Sequence, residues 1–162
     1  MPKRATKRPD NIFYKRRIEA SKWDRDFVSR ERTAERLYID RTRLANIELE
    51  KVVPHPEETA TFAEAYKAPE LCNYYCSQLC PLGKETIPKI ELNELDRTVL
   101  LLLAALKDLP KIKEELIAIA ADGDIQADER RGMDSILATL NEAAKRIQSL
   151  VLYCDKHRKI TT

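Results

Sequence analysis

A chain of 162 residues, 43% hydrophobic and 35% charged, is long enough for one ordinary domain or two small ones and apolar enough to bury a core. Only three glycines and three phenylalanines, beside abundant Glu, Lys, Arg, Leu and Ala, exclude a sheet-rich fold and imply an all-α one. The net charge of +2 conceals a split: residues 1–53 hold fifteen Lys and Arg against nine Asp and Glu, a balance of +6, and residues 54–162 hold fourteen against eighteen, a balance of −4. A basic half favours a polyanion; a mildly acidic half suits protein contacts or solvation. No apolar core of a signal peptide follows the basic N-terminus, and the longest apolar run, 99–106, is too short to span a bilayer. A cytoplasmic protein with no membrane contact is expected, and in that reducing compartment the four cysteines are thiols or metal ligands rather than disulfides.

Residues 1–10 carry Lys3, Arg4, Lys7 and Arg8 between two prolines without periodicity and read as a flexible basic arm. A first helix is expected over 11–22, with Ile12, Phe13 and Ile18 facing inward, then a loop at 23–26. Ser29 stands as the N-cap of a second helix over 30–37, and Asp40 caps a third over 41–49 after a gap of two residues. Prolines 54 and 56 end that unit. A fourth helix follows at 57–67, with Phe62 and Tyr66 one turn apart, and a fifth at 71–79, begun by Pro69. Pro81, Gly83 and Pro88 make 81–91 the linker. Helices over 92–107, 110–121 and 127–156 then form a C-terminal hairpin or three-helix bundle at 92–162. Leu137, Leu140, Ala144, Ile147 and Val151 build one apolar stripe on the last of them.

The segment 29–51 places small Ala34 in one short helix and apolar Leu37, Ile39, Leu44 and Ile47 around a tight corner. Packing of those residues would lock two helices at a steep angle and leave Arg41, Thr42, Arg43 and Asn46 outward. Arg fits the O6/N7 edge of guanine, Asn the N6/N7 edge of adenine, and Thr a hydroxyl partner or thymine methyl. Arg30, Arg32 and Lys51, with the arm cations Lys3, Arg4, Lys7 and Arg8, would hold phosphates and set register.

On these residues, about 11–70, within an expected DNA-binding domain at 11–80, the chain resembles the helix-turn-helix regulators of the XRE type, the family of the lambdoid phage repressors and Cro proteins. The resemblance implies an N-terminal five-helix domain that binds duplex DNA with the 41–49 helix in the major groove, acting as a transcriptional regulator, most readily a repressor. It makes Ala34 the small residue of the first motif helix, and Leu44 and Ile47 the inward pair of the second. It also implies that Glu48 pairs with an arginine of helix one, either Arg16 or Arg17. Two departures stand out: Tyr38 occupies the corner and Glu50 the exit, where the family has glycine, and both positions call for positive φ. A homodimer on a two-fold operator, or contact with another regulatory protein, would follow from the weak binding of a single module.

Cys72, Cys76 and Cys80 recur every four residues, and Cys154 lies three residues before His157. On a straight helix the outer pair stands about 12 Å apart, too far for one ion, but Pro81 disfavours helical geometry at Cys80 and lets the chain bend. Two readings stay open: a zinc or iron–sulfur site completed by Cys154 or His157, or small hydrophobes in a core. The 122–129 segment resembles half of a calcium loop but lacks its first ligands and reads better as a turn with Gly123 past a helix end. No glycine-rich phosphate loop and no nucleophile–base pair is present, so catalysis is not expected. The rival to a DNA-binding regulator is an antirepressor-like interaction module on the same scaffold.

Overall fold

The computed structural model describes residues 8–119, 121 and 129–161; Lys3, Arg4 and Lys7 of the arm and most of the 122–129 turn, Gly123 included, lie outside them. All its regular structure is helical, with no strand among the described residues. The chain divides into two units, one of Met1–Lys89 with Lys156–Thr162 and one of Ile90–Asp155. No described helix is long and apolar enough to cross a membrane.

The first unit contains α1 (Ile12–Ala20), a 3-10 turn (Arg25–Phe27), α2 (Arg30–Arg36), α3 (Arg41–Glu48), α4 (Pro56–Ala65), α5 (Glu70–Tyr74) running into a π turn (Tyr75–Leu79), and α6 (Gly83–Thr86). Each of the first three helices starts on a side-chain cap. Asn11 Oδ1 accepts from the Tyr14 N–H at 2.9 Å, Ser29 Oγ from Arg32 at 3.3 Å and Asp40 Oδ1 from Arg43 at 2.8 Å, satisfying amides that have no partner inside the helix. Asn11 also donates to the Ile47 carbonyl at 3.2 Å, which ties the start of α1 to the end of α3.

Three successive helices end in the same way. The N–H of Ile39 bonds the Ala34 carbonyl at 3.0 Å, that of Lys51 bonds Asn46 at 2.8 Å, and that of Ala68 bonds Ala63 at 2.8 Å. Each is the six-to-one bond of a Schellman ending, which requires a left-handed residue just before the donor. Those residues are Tyr38, Glu50 and Lys67, with φ of 54°, 56° and 50°. A side chain there costs about 1 kcal/mol relative to glycine. The corner expected to need glycine therefore does adopt positive φ, at the cost of strain on a side-chain-bearing residue.

Inside, Phe13, Phe27, Phe62 and Tyr66 interlock. Phe13 meets Phe62 edge-on at 5.8 Å between ring centres, Phe27 meets Tyr66 edge-on at 5.1 Å, and Phe62 stacks on Tyr66 one turn later at 5.7 Å. Ala34, Leu44, Ile47 and Leu71 are buried around them, and Leu37 and Ile39 pack against the cluster. Helix one differs from expectation in one respect: Ile18 is 37% exposed, and the inward position beside it belongs to Arg17. That swap has a cause in the ion network described below. Within 81–91, residues 83–86 form a helical turn against the π turn, so tightly that a Cβ on Gly83 would stand 2.0 Å from the Cys76 carbonyl oxygen. The division between units falls at 89/90.

The second unit contains α7 (Leu95–Leu106), α8 (Leu109–Ile119) and most of α9 (Arg130–Thr161), whose final turn belongs to the first unit. Its buried side chains among the described residues are Thr98, Ile112, Ile136, Ala143 and Ser149. The stripe expected on α9 exists as a stripe, but it is not the inward face: Leu137, Ala144, Ile147 and Val151 are exposed and Leu140 half-buried, while Ile136 and Ala143, one residue earlier than Leu137 and Ala144, face inward.

Candidate nucleic-acid interface

The short helices α2 and α3 meet across Leu37–Asp40, a turn made possible by the left-handed Tyr38, whose ring is 98% exposed and packs on nothing. Ala34, Leu44 and Ile47 fill the angle between them. What fixes α3 to the rest of the unit is a buried carboxylate. Glu48, at the last turn of α3, is fully buried and accepts from Arg17 Nε at 2.5 Å and Nη2 at 3.1 Å, and from Arg30 Nε at 2.6 Å. Arg17 also donates Nη1 to the Phe27 carbonyl at 2.8 Å. One carboxylate thus joins α1, α2 and α3, and the fork geometry of Arg17 explains why that residue, not Ile18, faces inward. Of the two arginines left open by the sequence, Arg17 is Glu48's partner; Arg16 instead pairs with Glu19 and with Glu70.

The residues expected to read bases divide into two kinds. Arg41 and Thr42 are exposed on the first turn of α3, and Asn46 is half-exposed one turn on. Arg43 is held: its Nε and Nη2 both go to the Glu58 carboxylate on α4, the latter at 2.7 Å. Glu58 also accepts from the His55 N–H at 2.6 Å, capping the start of α4. Burial pushes the Glu58 carboxyl up, but the hydrogen bonds from Arg43 and His55 and the charge of Arg43 together bring it below the ordinary carboxylate value.

Of the expected phosphate contacts, Arg32 and Lys51 are exposed, while Arg30 donates its Nε to Glu48. Arg8 forms an ion pair with Glu50 at 2.8 Å, so the negative charge at the exit from α3 is partly offset by the arm. Glu58 was missed from sequence, although the three-residue spacing from His55, with Pro56 between, is a capping signal. The ion pair of Arg8 with Glu50 left no pattern to find, because it joins residues 42 positions apart.

The cysteines fall in both units, Cys72, Cys76 and Cys80 in the first and Cys154 in the second. Cys72 is exposed on α5, Cys76 and Cys80 are half-buried in and after the π turn, and Cys154 is exposed on α9. Cys80 does adopt the extended geometry expected before proline, at φ −74° and ψ 123°. Even so, no group of three or more His, Cys, Asp and Glu side chains among the described residues is placed to hold a metal ion. The alternative of small buried hydrophobes does not describe Cys72 and Cys154 either, since both face solvent.

Compared with protein-family models, with curated proteins and with solved structures, the chain matches none.

Proposed function

We propose that the first unit binds duplex DNA in a sequence-dependent manner, with α3 in the major groove in the way of a repressor-like helix-turn-helix domain, and that the chain regulates transcription. The observation that carries this reading is the outer face of α3. Arg41, Thr42 and Asn46 reach solvent from a helix whose inner face, Leu44, Ile47 and Glu48, is wholly buried and clamped by two arginines. Polar side chains on a helix with no freedom to rock are what direct readout needs, because a base-edge contact fails when its side chain is misplaced. Arg43 fits the same role through its buttress. Glu58 fixes the guanidinium plane and leaves Nη1 without a hydrogen-bond partner among the described residues, ready for a base edge. Arg32 and Lys51, with the arm, supply the phosphate contacts, and the +6 balance of residues 1–53 draws the polyanion in.

Selection of bound sequences from a random duplex pool, followed by anisotropy titration of the winner against unselected duplex, tests the reading. A selected duplex is expected to bind at least tenfold tighter than random DNA, with affinity falling steeply with salt. Arg41→Ala, Arg43→Ala and Asn46→Ala are each expected to cost about 1–3 kcal/mol on the selected site and little on random DNA. Selection that enriches nothing over random duplex overturns the proposal. One observation favours the rival interaction module: Arg8, Arg30 and Arg43, three of the cations assigned to DNA, are already engaged by carboxylates. Failed selection would leave that module standing.

A further inference from the structure

On α9, exposure and composition part company. Leu137, Ile147 and Val151 are 48%, 47% and 54% exposed, with Ala138, Ala144 and Cys154 in solvent beside them. In a chain with 35% charged residues, every exposed position of α9 from Ser135 to Cys154 is uncharged, and Ser135, Asn141 and Gln148 are the polar ones among them. The charged residues of that span, Glu142, Lys145 and Arg146, are half-buried off this face, and Arg146 pairs with Glu142. Leu137, Leu140, Ala144, Ile147, Val151 and Cys154 are spaced by three and four residues in strict alternation. That is the 3.5-residue repeat of a seam between two long helices, and it is distinct from the inward set of Ile136 and Ala143.

We propose that a second copy of this chain packs its own α9 along this seam, forming a dimer through the second unit. A face that packs on its own image buries every charge it carries in both copies at once, so a neutral stripe avoids that desolvation twice over, and this one is neutral for about 30 Å of helix at 1.5 Å per residue. Alongside it runs an open apolar groove of about 540 Å³ between α8 and α9, lined by Leu109, Ile112, Leu116, Ile117 and Leu140 with Lys113. Leu140 belongs to both, so groove and seam are one surface. A buried aliphatic side chain removes roughly 100 Å² from water, so the seven that are partly or half exposed in each copy, Ile112 being already buried, give roughly 700 Å² in total. At the usual apolar share of an interface that implies roughly 1,100 Å² overall, at the low end of the range for a specific dimer. Segments of the chain itself fit poorly: 1–7 carries three cations and 122–128 three aspartates.

Sedimentation velocity of the full chain from 1 to 100 µM, with a thiol reductant present so that no Cys154 disulfide stands in for packing, is expected to show a monomer–dimer equilibrium. Leu137→Glu with Ile147→Glu is expected to raise the dissociation constant at least 30-fold while far-ultraviolet circular dichroism keeps the native helicity. Should that variant misfold, Asn141→Glu with Gln148→Glu adds charge at positions already polar and exposed, and is expected to raise the constant at least fivefold. A wild-type monomer at 100 µM, or folded charged variants that dimerise as well as wild type, overturns the proposal. DNA affinity plays no part in these readouts, so failed selection of a DNA site leaves this test intact.

Discussion

The two units of this chain build their interiors in opposite ways. The first closes on four aromatic rings, a set of buried aliphatic residues and a carboxylate gripped by two arginines, with three helix ends folded back by Schellman turns. The second, with three helices to work with, buries Ile112, Ile136 and Ala143 and two hydroxyl side chains among its described residues, and leaves Leu100 and Leu103 of α7, Ile117 of α8 and the α9 stripe to solvent. The second unit is not short of leucine, holding thirteen against six in the first. What differs is whether apolar residues on successive helices converge, and in the second unit they are spread over more than one face of each helix. A unit built so keeps apolar surface that its own folding does not cover.

The largest expected effect breaks the first unit at its centre. Glu48→Gln leaves Arg17 buried without a counter-charge, and a loss of about 3–5 kcal/mol is expected from denaturant titration. A loss under 1 kcal/mol would mean that the aromatic core, and not the ion network, sets the stability of this unit. Next comes a direct contrast between the interiors. Ile47→Ala in the first unit is expected to cost about 4 kcal/mol, whereas Ile136→Ala in the second should fall near 2 kcal/mol, because Ile136, though as buried as Ile47, lines an open cleft of about 230 Å³ and has less packing to lose. Equal losses would erase the distinction drawn above.

The pH dependence sharpens the comparison on the first unit. Because Glu58 is held below its ordinary value of 4.5 in the native state, its clasp on Arg43 is fully present above that value and is lost as pH falls through the lower native one. Wild type is expected to lose more stability between pH 5 and pH 3 than Glu58→Gln does, as read by thermal melts; parallel curves would show that the clasp contributes nothing. The smallest effect belongs to the corner. Tyr38→Gly removes a fully exposed ring and relieves positive φ, with an expected gain of about 0.5–1 kcal/mol, less whatever the freer unfolded chain takes back. A loss instead would show that the Tyr38 ring serves the fold in a way its exposure conceals.

Local signals were enough for a good deal of this. Ser29 and Asp40 cap α2 and α3 because short oxygen-bearing side chains reach free amides wherever they stand, and this needs no knowledge of the rest of the chain. The inward set Ala34, Leu44 and Ile47 follows from helical spacing alone. The positive φ demanded at positions 38 and 50 was legible too, as was the fact that neither residue is glycine. The neutral 3-4 stripe on α9 was equally plain as a pattern.

Tertiary structure decided the rest, because the deciding partners are distant in sequence or alike in composition. Arg16 and Arg17 are chemically identical, and only the direction of α1 against α3 gives Glu48 to Arg17 and turns Ile18 outward. Arg43 and Glu58, fifteen residues apart, meet because α4 folds beneath α3. Periodicity states that α9 has an apolar face but not which way it turns, and two apolar faces one residue out of step are both present there. The inward choice fell to Ile136 and Ala143, since one helix can turn only one face to its own neighbours, and the other stays at the surface.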